Sequence, residues 1–239
     1  LWSTALYRAA LFFVALCIGS WTFGKKDLMG IRIVPEKMKN SVNLVNLANE
    51  FGYPLRTNIR EDGDVQEKKL QLYAKAAVLL DADSKRVLYG KNEDAELPMA
   101  STTKIMTALV VCEQANVLDR VRIPKEAVGV EGSSMYLQEG EVLTVQELLY
   151  GLMLRSGNDA ATALAIHCGG SVADFAQMMN QKAKDIGCKN SNFVNPHGLH
   201  DDNHYSSAKD LCLISSYALQ NPTFRKIVSS KSYKIINLK

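Results

Sequence analysis

The alternation of apolar and polar positions divides the chain near Ala76. Before it stands one apolar run of about ten residues, Ala9-Ala10-Leu11-Phe12-Phe13-Val14-Ala15-Leu16-Cys17-Ile18, directly after Arg8. Residues 25–70 are rich in Lys, Asn and Glu, with one helical stretch expected near 42–51. Beyond that point the texture is that of a packed domain. Ala77-Val78-Leu79-Leu80 has the length and apolarity of a buried strand, Asp81-Ala82-Asp83-Ser84 has turn chemistry, and Arg86-Val87-Leu88-Tyr89 is a second strand, so a hairpin is predicted. A helix is predicted to open near Ser101, because Ile105, Ala108, Leu109 and Cys112 follow i, i+3, i+4, i+7 spacing. Residues 116–140 carry scattered Gly and Pro and no sustained period.

Thr144-Val145-Gln146-Glu147 is a capping box, in which hydroxyl and carboxylate satisfy free amides at a helix start. That helix runs through Leu148, Leu149, Leu152 and Met153 and breaks at Ser156-Gly157, and another begins near Asp159. A further helix spans residues 171–185, with Gly187 placed to stop it in the left-handed conformation. Asn195-Pro196-His197-Gly198 reads as a loop, Ser207 starts a helix through Leu219, and residues 231–238 are predicted as a strand on Tyr233, Ile235 and Ile236. There is no internal repeat and no low-complexity tract. Strands at both ends with helices between predict an α/β (α+β) fold whose sheet edges meet across a helical insertion.

Composition adds bounds. The 239 residues are 47% hydrophobic and 22% charged, enough for a sizeable core and incompatible with wholesale disorder. A net charge of +3, with no clustered basic patch, gives no argument for nucleic acid. Charge followed by a short apolar run at the N-terminus predicts an export signal, with an uncleaved membrane anchor as the alternative. On that reading residues 1–24 are signal or anchor, 25–74 a spacer and 75–239 the domain. Of five cysteines, Cys17 lies in the signal; Cys112 and Cys212 sit in apolar helical patterns and suit small buried hydrophobes, and no CxxC pair occurs. A disulfide framework is not expected of a chain with its own core.

The first candidate chemistry is Ser101-Thr102-Thr103-Lys104. At i and i+3 on a helix both side chains share a face. Serine needs a neighbouring base, and a lysine kept neutral by burial can serve. Ser-x-x-Lys is expected about once or twice by chance in such a chain, and it does recur at Ser206-Ser207-Ala208-Lys209. The bland reading of either is a helix-capping serine with a solvated lysine. A second candidate, Ser156-Gly157-Asn158, is equally compatible with an ordinary inter-helix turn.

The combination is more specific. Pro98-Met99-Ala100-Ser101-Thr102-Thr103-Lys104, followed about 50 residues later by Leu154-Arg155-Ser156-Gly157-Asn158-Asp159-Ala160-Ala161, resembles the serine-type D-alanyl-D-alanine carboxypeptidases, the low-molecular-mass penicillin-binding proteins. Leu80-Asp81-Ala82 with Val87-Leu88-Tyr89 is similar to the family's opening hairpin. Asn195-Pro196-His197-Gly198-Leu199 and His204-Tyr205-Ser206-Ser207-Ala208-Lys209-Asp210-Leu211 are similar to its later loop and helix. The likeness covers roughly residues 75–239. It implies a β-lactamase/transpeptidase-like fold, an antiparallel sheet flanked by helices with an all-helical insertion. It implies Ser101 as nucleophile on the carbonyl between two D-alanines of a peptidoglycan stem peptide and Lys104 as the base. Ser156 would relay a proton to the departing D-alanine, and Asn158 would hydrogen-bond the substrate backbone. The Ser101 amide would supply half of an oxyanion hole. It also implies β-lactam antibiotics as inhibitors. No cofactor and no metal are expected, and the N-terminal run predicts an extracytoplasmic location with membrane contact through that segment. Ser206 and Lys209 match a structural helix start instead.

The family's third motif, Lys-Thr-Gly or Lys-Ser-Gly, does not occur; Lys231-Ser232-Tyr233 comes nearest and lacks the glycine. Its place, and that of a trailing β-rich domain, is expected beyond Lys239. Three other readings stay open at this stage: a β-lactamase-like hydrolase, a non-catalytic peptidoglycan- or β-lactam-binding module, and a metal-dependent amidase built on His197, His200 and His204 with Asp201 and Asp202. The loop composition around those histidines argues against helical i, i+4 ligation. His167, at a helix end, suits the helix dipole.

Overall fold

The computed structural model describes residues 72–82 and 84–235, together with the backbone of two strands nearer the N-terminus, β1 (Leu11–Leu16) and β2 (Arg32–Val34). The expected helix near 42–51 lies outside the described residues. The hairpin is present as β3 (Ala76–Asp81) and β4 (Val87–Lys91). Its turn is set by the Asp81 carboxylate, which accepts from the backbone amide and the hydroxyl of Ser84, both at 2.7 Å. Four strands pair antiparallel in the order β2-β1-β3-β4. Every residue of β3 from Ala76 to Leu80 is buried, which is why this strand reads as an unbroken apolar run. The segment expected as the heart of a signal thus runs along one edge of β3, with Leu11 opposite Asp81 and Leu16 opposite Ala76. No helix among the described residues is long and apolar enough to cross a membrane.

The helices form the rest. α1 (Thr103–Gln114) is buried from Thr103 through Val111, on all sides. It is the central helix, in contact with its neighbours α2 (Val145–Leu154), α3 (Asn158–Gly169), α4 (Val172–Ile186) and α5 (Ala208–Ala218). The capping box at α2 is complete: Thr144 Oγ1 accepts from the Glu147 amide at 3.2 Å, and the Glu147 carboxylate accepts from the Thr144 amide at 2.8 Å. Ser171 caps α4 and Gly187 ends it at φ +92°. α5 begins after Ser207, whose hydroxyl accepts from Asp210, and packs on β3.

Two elements were not legible in the pattern. A two-stranded ribbon, β5 (Arg120–Arg122) with β6 (Val142–Thr144), sits within the helical insertion; three residues per strand are too few to show a period. α6 (Pro222–Val228) has two buried residues, Phe224 and Ile227, and owes its start to the Asn221 cap and the proline that follows. One expectation is corrected. Residues 231–235 are not a strand; residues 236–239 lie outside the described residues. Tyr233 instead lays its ring on Tyr150 of α2, centroids 3.8 Å apart and planes 6° from parallel. Tyr233 thus takes its place from a ring contact on a helix, not from a sheet.

Candidate active site

A single 3₁₀ turn, Ala100–Thr102, leads into α1 and carries Ser101 at the surface. Neither flanking cap residue spends a side chain on the helix start, so the bland capping reading of this serine does not hold. Lys104 lies in the first turn of α1 and is 2% exposed. Its Nζ donates to Ser101 Oγ at 3.1 Å and to the His197 carbonyl at 2.7 Å. Burial pushes the ammonium down from 10.5 to about 8, because its contacts are neutral and water is excluded. In its neutral form the amine accepts from the Ser101 hydroxyl, the relation a general base needs.

The His197 carbonyl is delivered by the loop at 195–198. Asn195 Oδ1 accepts from the amides of His197 (3.3 Å) and Gly198 (2.7 Å), and Asn195 Nδ2 donates to Leu199 O at 2.9 Å. Thr107, one turn along α1 from Thr103, donates to Pro196 O at 2.6 Å. Gly198 has φ +90°, and a Cβ there would lie 1.9 Å from the Ala100 carbonyl oxygen. Only glycine lets the loop close on the turn that holds Ser101.

Ser156-Gly157-Asn158 joins α2 to α3. Ser156 adopts φ +59° and is half-buried. Asn158 is buried; its Nδ2 donates to Glu131 O at 2.5 Å and its amide to Ser133 O at 2.7 Å. That side-chain bond leaves Oδ1 as the polar atom not occupied by Glu131. Among the described residues no hydrogen bond joins Ser156 or Asn158 to Ser101 or Lys104. The structure therefore joins the first pair directly and places the second pair on the separate α2–α3 turn.

The second Ser-x-x-Lys differs in every respect. Ser206 is buried and shares a hydrogen bond with Ser191 at 2.8 Å, while Lys209 reaches out to Asp94 at 3.2 Å.

The family model for peptidase S11, D-alanyl-D-alanine carboxypeptidase, matches residues 63–237. The chain belongs to this family. Within it, the D-alanyl-D-alanine carboxypeptidase DacF of Bacillus subtilis is 39% identical over 176 residues, covering 72% of this chain and 45% of the relative. The D-alanyl-D-alanine carboxypeptidase of Streptomyces sp. K15 is 41% identical over 158 residues, 61% of this chain and 54% of the relative. The crystal structure of penicillin binding protein 5 from Haemophilus influenzae superposes with a TM-score of 0.66 at 36% identity, covering 70% of this chain and 51% of that one. The chain thus spans about half the length of the curated relatives it matches. The chain's mixed α/β architecture with antiparallel sheets agrees with the fold the resemblance implies, except that the insertion carries the β5–β6 ribbon and is not all-helical.

Two buried polar residues that shape these surroundings, Asp159 and His204, carried no such role in the sequence pattern. Asp159 is 1% exposed, and its carboxylate accepts from Ser134 Oγ (2.7 Å), Met135 N (2.9 Å), Leu137 N (3.2 Å) and Ala160 N (2.8 Å). It pins the loop that carries Glu131 and Ser133 against Asn158. The available signal was a charge opening the otherwise apolar Ala160-Ala161 run. His204 is 3% exposed and lies against Thr103, which donates in turn to Ala100. Burial pushes the imidazoles of His204 and His197 down to about 4, with Lys104 adding to the effect on His197. His200, by contrast, is on the surface beside Asp202 at 3.5 Å. Among the described residues no group of three or more His, Cys, Asp or Glu is placed to hold a metal ion.

Proposed function

We propose that this chain carries the acylation machinery of a serine DD-carboxypeptidase, which removes the terminal D-alanine from peptidoglycan stem pentapeptides. The observation that carries the reading is the buried Lys104 amine 3.1 Å from an exposed Ser101 hydroxyl, in a chain of the S11 family. Neutral Lys104 takes the Ser101 proton as Oγ attacks the carbonyl carbon of the penultimate D-alanine. The amide bond to the terminal residue breaks, and its nitrogen receives a proton through Ser156, so that D-alanine leaves as the free amino acid. Asn158 faces the peptide backbone of the substrate through Oδ1. Water then splits the Ser101 ester, and a β-lactam would be held at the same oxygen because its acyl group deacylates slowly.

Burial also sets how much base is present. At pH 7 a lysine titrating near 8 is neutral in about one molecule in ten, against roughly one in 3,000 for an ordinary side chain. The charge-then-apolar pattern at Arg8 and residues 9–18 is the sequence support for export and a site of action outside the cytoplasm.

The test is D-alanine release from a stem pentapeptide by the protein expressed from its whole reading frame. Release by the parent and none by Ser101→Ala is expected. Release that persists in Ser101→Ala, or that a chelator abolishes, overturns the assignment.

A further inference from the structure

We propose that His204 and Thr103 form a positioning relay that holds Ala100, and through it Ser101, in the geometry for attack. The inference rests on the reading of Ser101 as nucleophile.

It starts from backbone strain. Ala100, the residue before Ser101, has φ +46°, in the left-handed region that residues with a Cβ rarely adopt. Such conformations persist where surrounding contacts over-determine them. Here the contacts converge on the Ala100 carbonyl. Thr103 Oγ1 donates to it at 2.8 Å, and Gly198 packs against the same oxygen.

The direction of every bond in the chain is fixed. The Val194 amide donates to His204 Nδ1 at 3.1 Å, so the imidazole proton sits on Nε2. Nε2 then donates to Thr103 Oγ1 at 2.8 Å, and the Thr103 hydroxyl has its own proton free for Ala100. A neutral imidazole is required, and the buried ring, titrating near 4, is neutral wherever Lys104 can act as a base. Phe193 meets the ring edge-on, centroids 5.9 Å apart at 82°, and fixes its plane. Neither His204 nor Thr103 is placed to touch substrate; both act through the Ala100 backbone. One element, the stretch from Val194 to His204, therefore serves the site twice: its His197 carbonyl seats the base and its His204 ring seats the nucleophile's turn.

The experiment measures penicillin acylation under saturation in the protein expressed from its whole reading frame, separating limiting rate from half-saturating concentration. Thr103→Val keeps the shape of the side chain and removes both bonds. Its limiting rate is expected to fall about 10- to 100-fold, with half-saturation within about twofold of the parent. Thr103→Ser restores the hydroxyl and is expected to bring the rate back to within about threefold. The rate constant is taken on the fraction that labels, so partial unfolding changes amplitude only. If Thr103→Val yields no folded protein, His204→Phe, which keeps a ring and removes the donor to Thr103, decides by the same readout, with a fall of about 10-fold expected. A limiting rate within about twofold of the parent in the deciding variant overturns the relay, whatever its melting temperature. Labelling that survives Ser101→Ala overturns instead the reading on which the relay rests.

Discussion

Lys104→Met keeps the length of the side chain and removes its charge. In the folded protein the ammonium titrates near 8; in the unfolded chain it returns to 10.5. The unfolded state therefore holds the proton more tightly. The cost to the fold is fully present below about pH 8 and is relieved as pH rises from 8 towards 10.5. The gap corresponds to about 3 kcal/mol at pH 7 and about 1 kcal/mol at pH 10. The substitution also removes the bond from Nζ to the His197 carbonyl, made at 2.7 Å. Leaving that acceptor unpaired costs about 1–3 kcal/mol at either pH. At pH 7 the variant is thus expected to be as stable as the parent or up to about 2 kcal/mol more stable, while failing to acylate. By pH 10 the comparison moves about 2 kcal/mol in favour of the parent. Urea denaturation followed by circular dichroism at both pH values measures the movement, which does not depend on the size of the hydrogen-bond loss. A parent-minus-variant difference constant within about 0.5 kcal/mol from pH 7 to 10 would refute the buried, weakly basic lysine.

Other outcomes follow from the same contacts. The limiting rate of penicillin acylation should rise with pH between about 6 and 9 with a midpoint near 8, since only neutral Lys104 accepts the proton; a rate that falls over this range contradicts it. Asp159→Ala strands the amides of Met135 and Leu137 and the Ser134 hydroxyl, and should cost about 3 kcal/mol in thermal or urea unfolding; a loss below about 1 kcal/mol would show that the loop is held by other means. Gly198→Ala puts a methyl 1.9 Å from the Ala100 oxygen, so it should lower both the melting temperature and the acylation rate, and parent-like values for both would be inconsistent with the close approach. Cys112 and Cys168, which burial pushes up to about 12 and 11, should react with a thiol reagent at pH 8 far more slowly than they do in urea.

The sequence announced the elements whose ends carry chemistry. The Thr144-Glu147 box, the Gly187 stop and the Asp81 turn are local devices, each written in three or four adjacent residues. The Ser101–Lys104 pair was legible for the same reason, because helix geometry alone brings i and i+3 together. What escaped was set by tertiary contact. The short β5–β6 ribbon has no period to read, and Tyr233 alternates like a strand residue although its partner is the Tyr150 ring, far back in the chain. His204 drew attention as a candidate metal ligand. Its partner Thr103 is 101 residues away, and no spacing rule connects a loop histidine to the residue beside a lysine. Asp159 looked like part of a motif and proved to be the buried acceptor that shapes the loop facing it.

The central claim is that Ser101 is the acylated atom's owner. Mass spectrometry of proteolytic peptides after penicillin treatment tests it most directly, in the protein expressed from its whole reading frame. The account predicts one β-lactam adduct, on the peptide containing Ser101, and its loss in Ser101→Ala and Lys104→Met. An adduct on Ser156, Ser206 or any other residue, or an adduct that persists in Ser101→Ala, would contradict it.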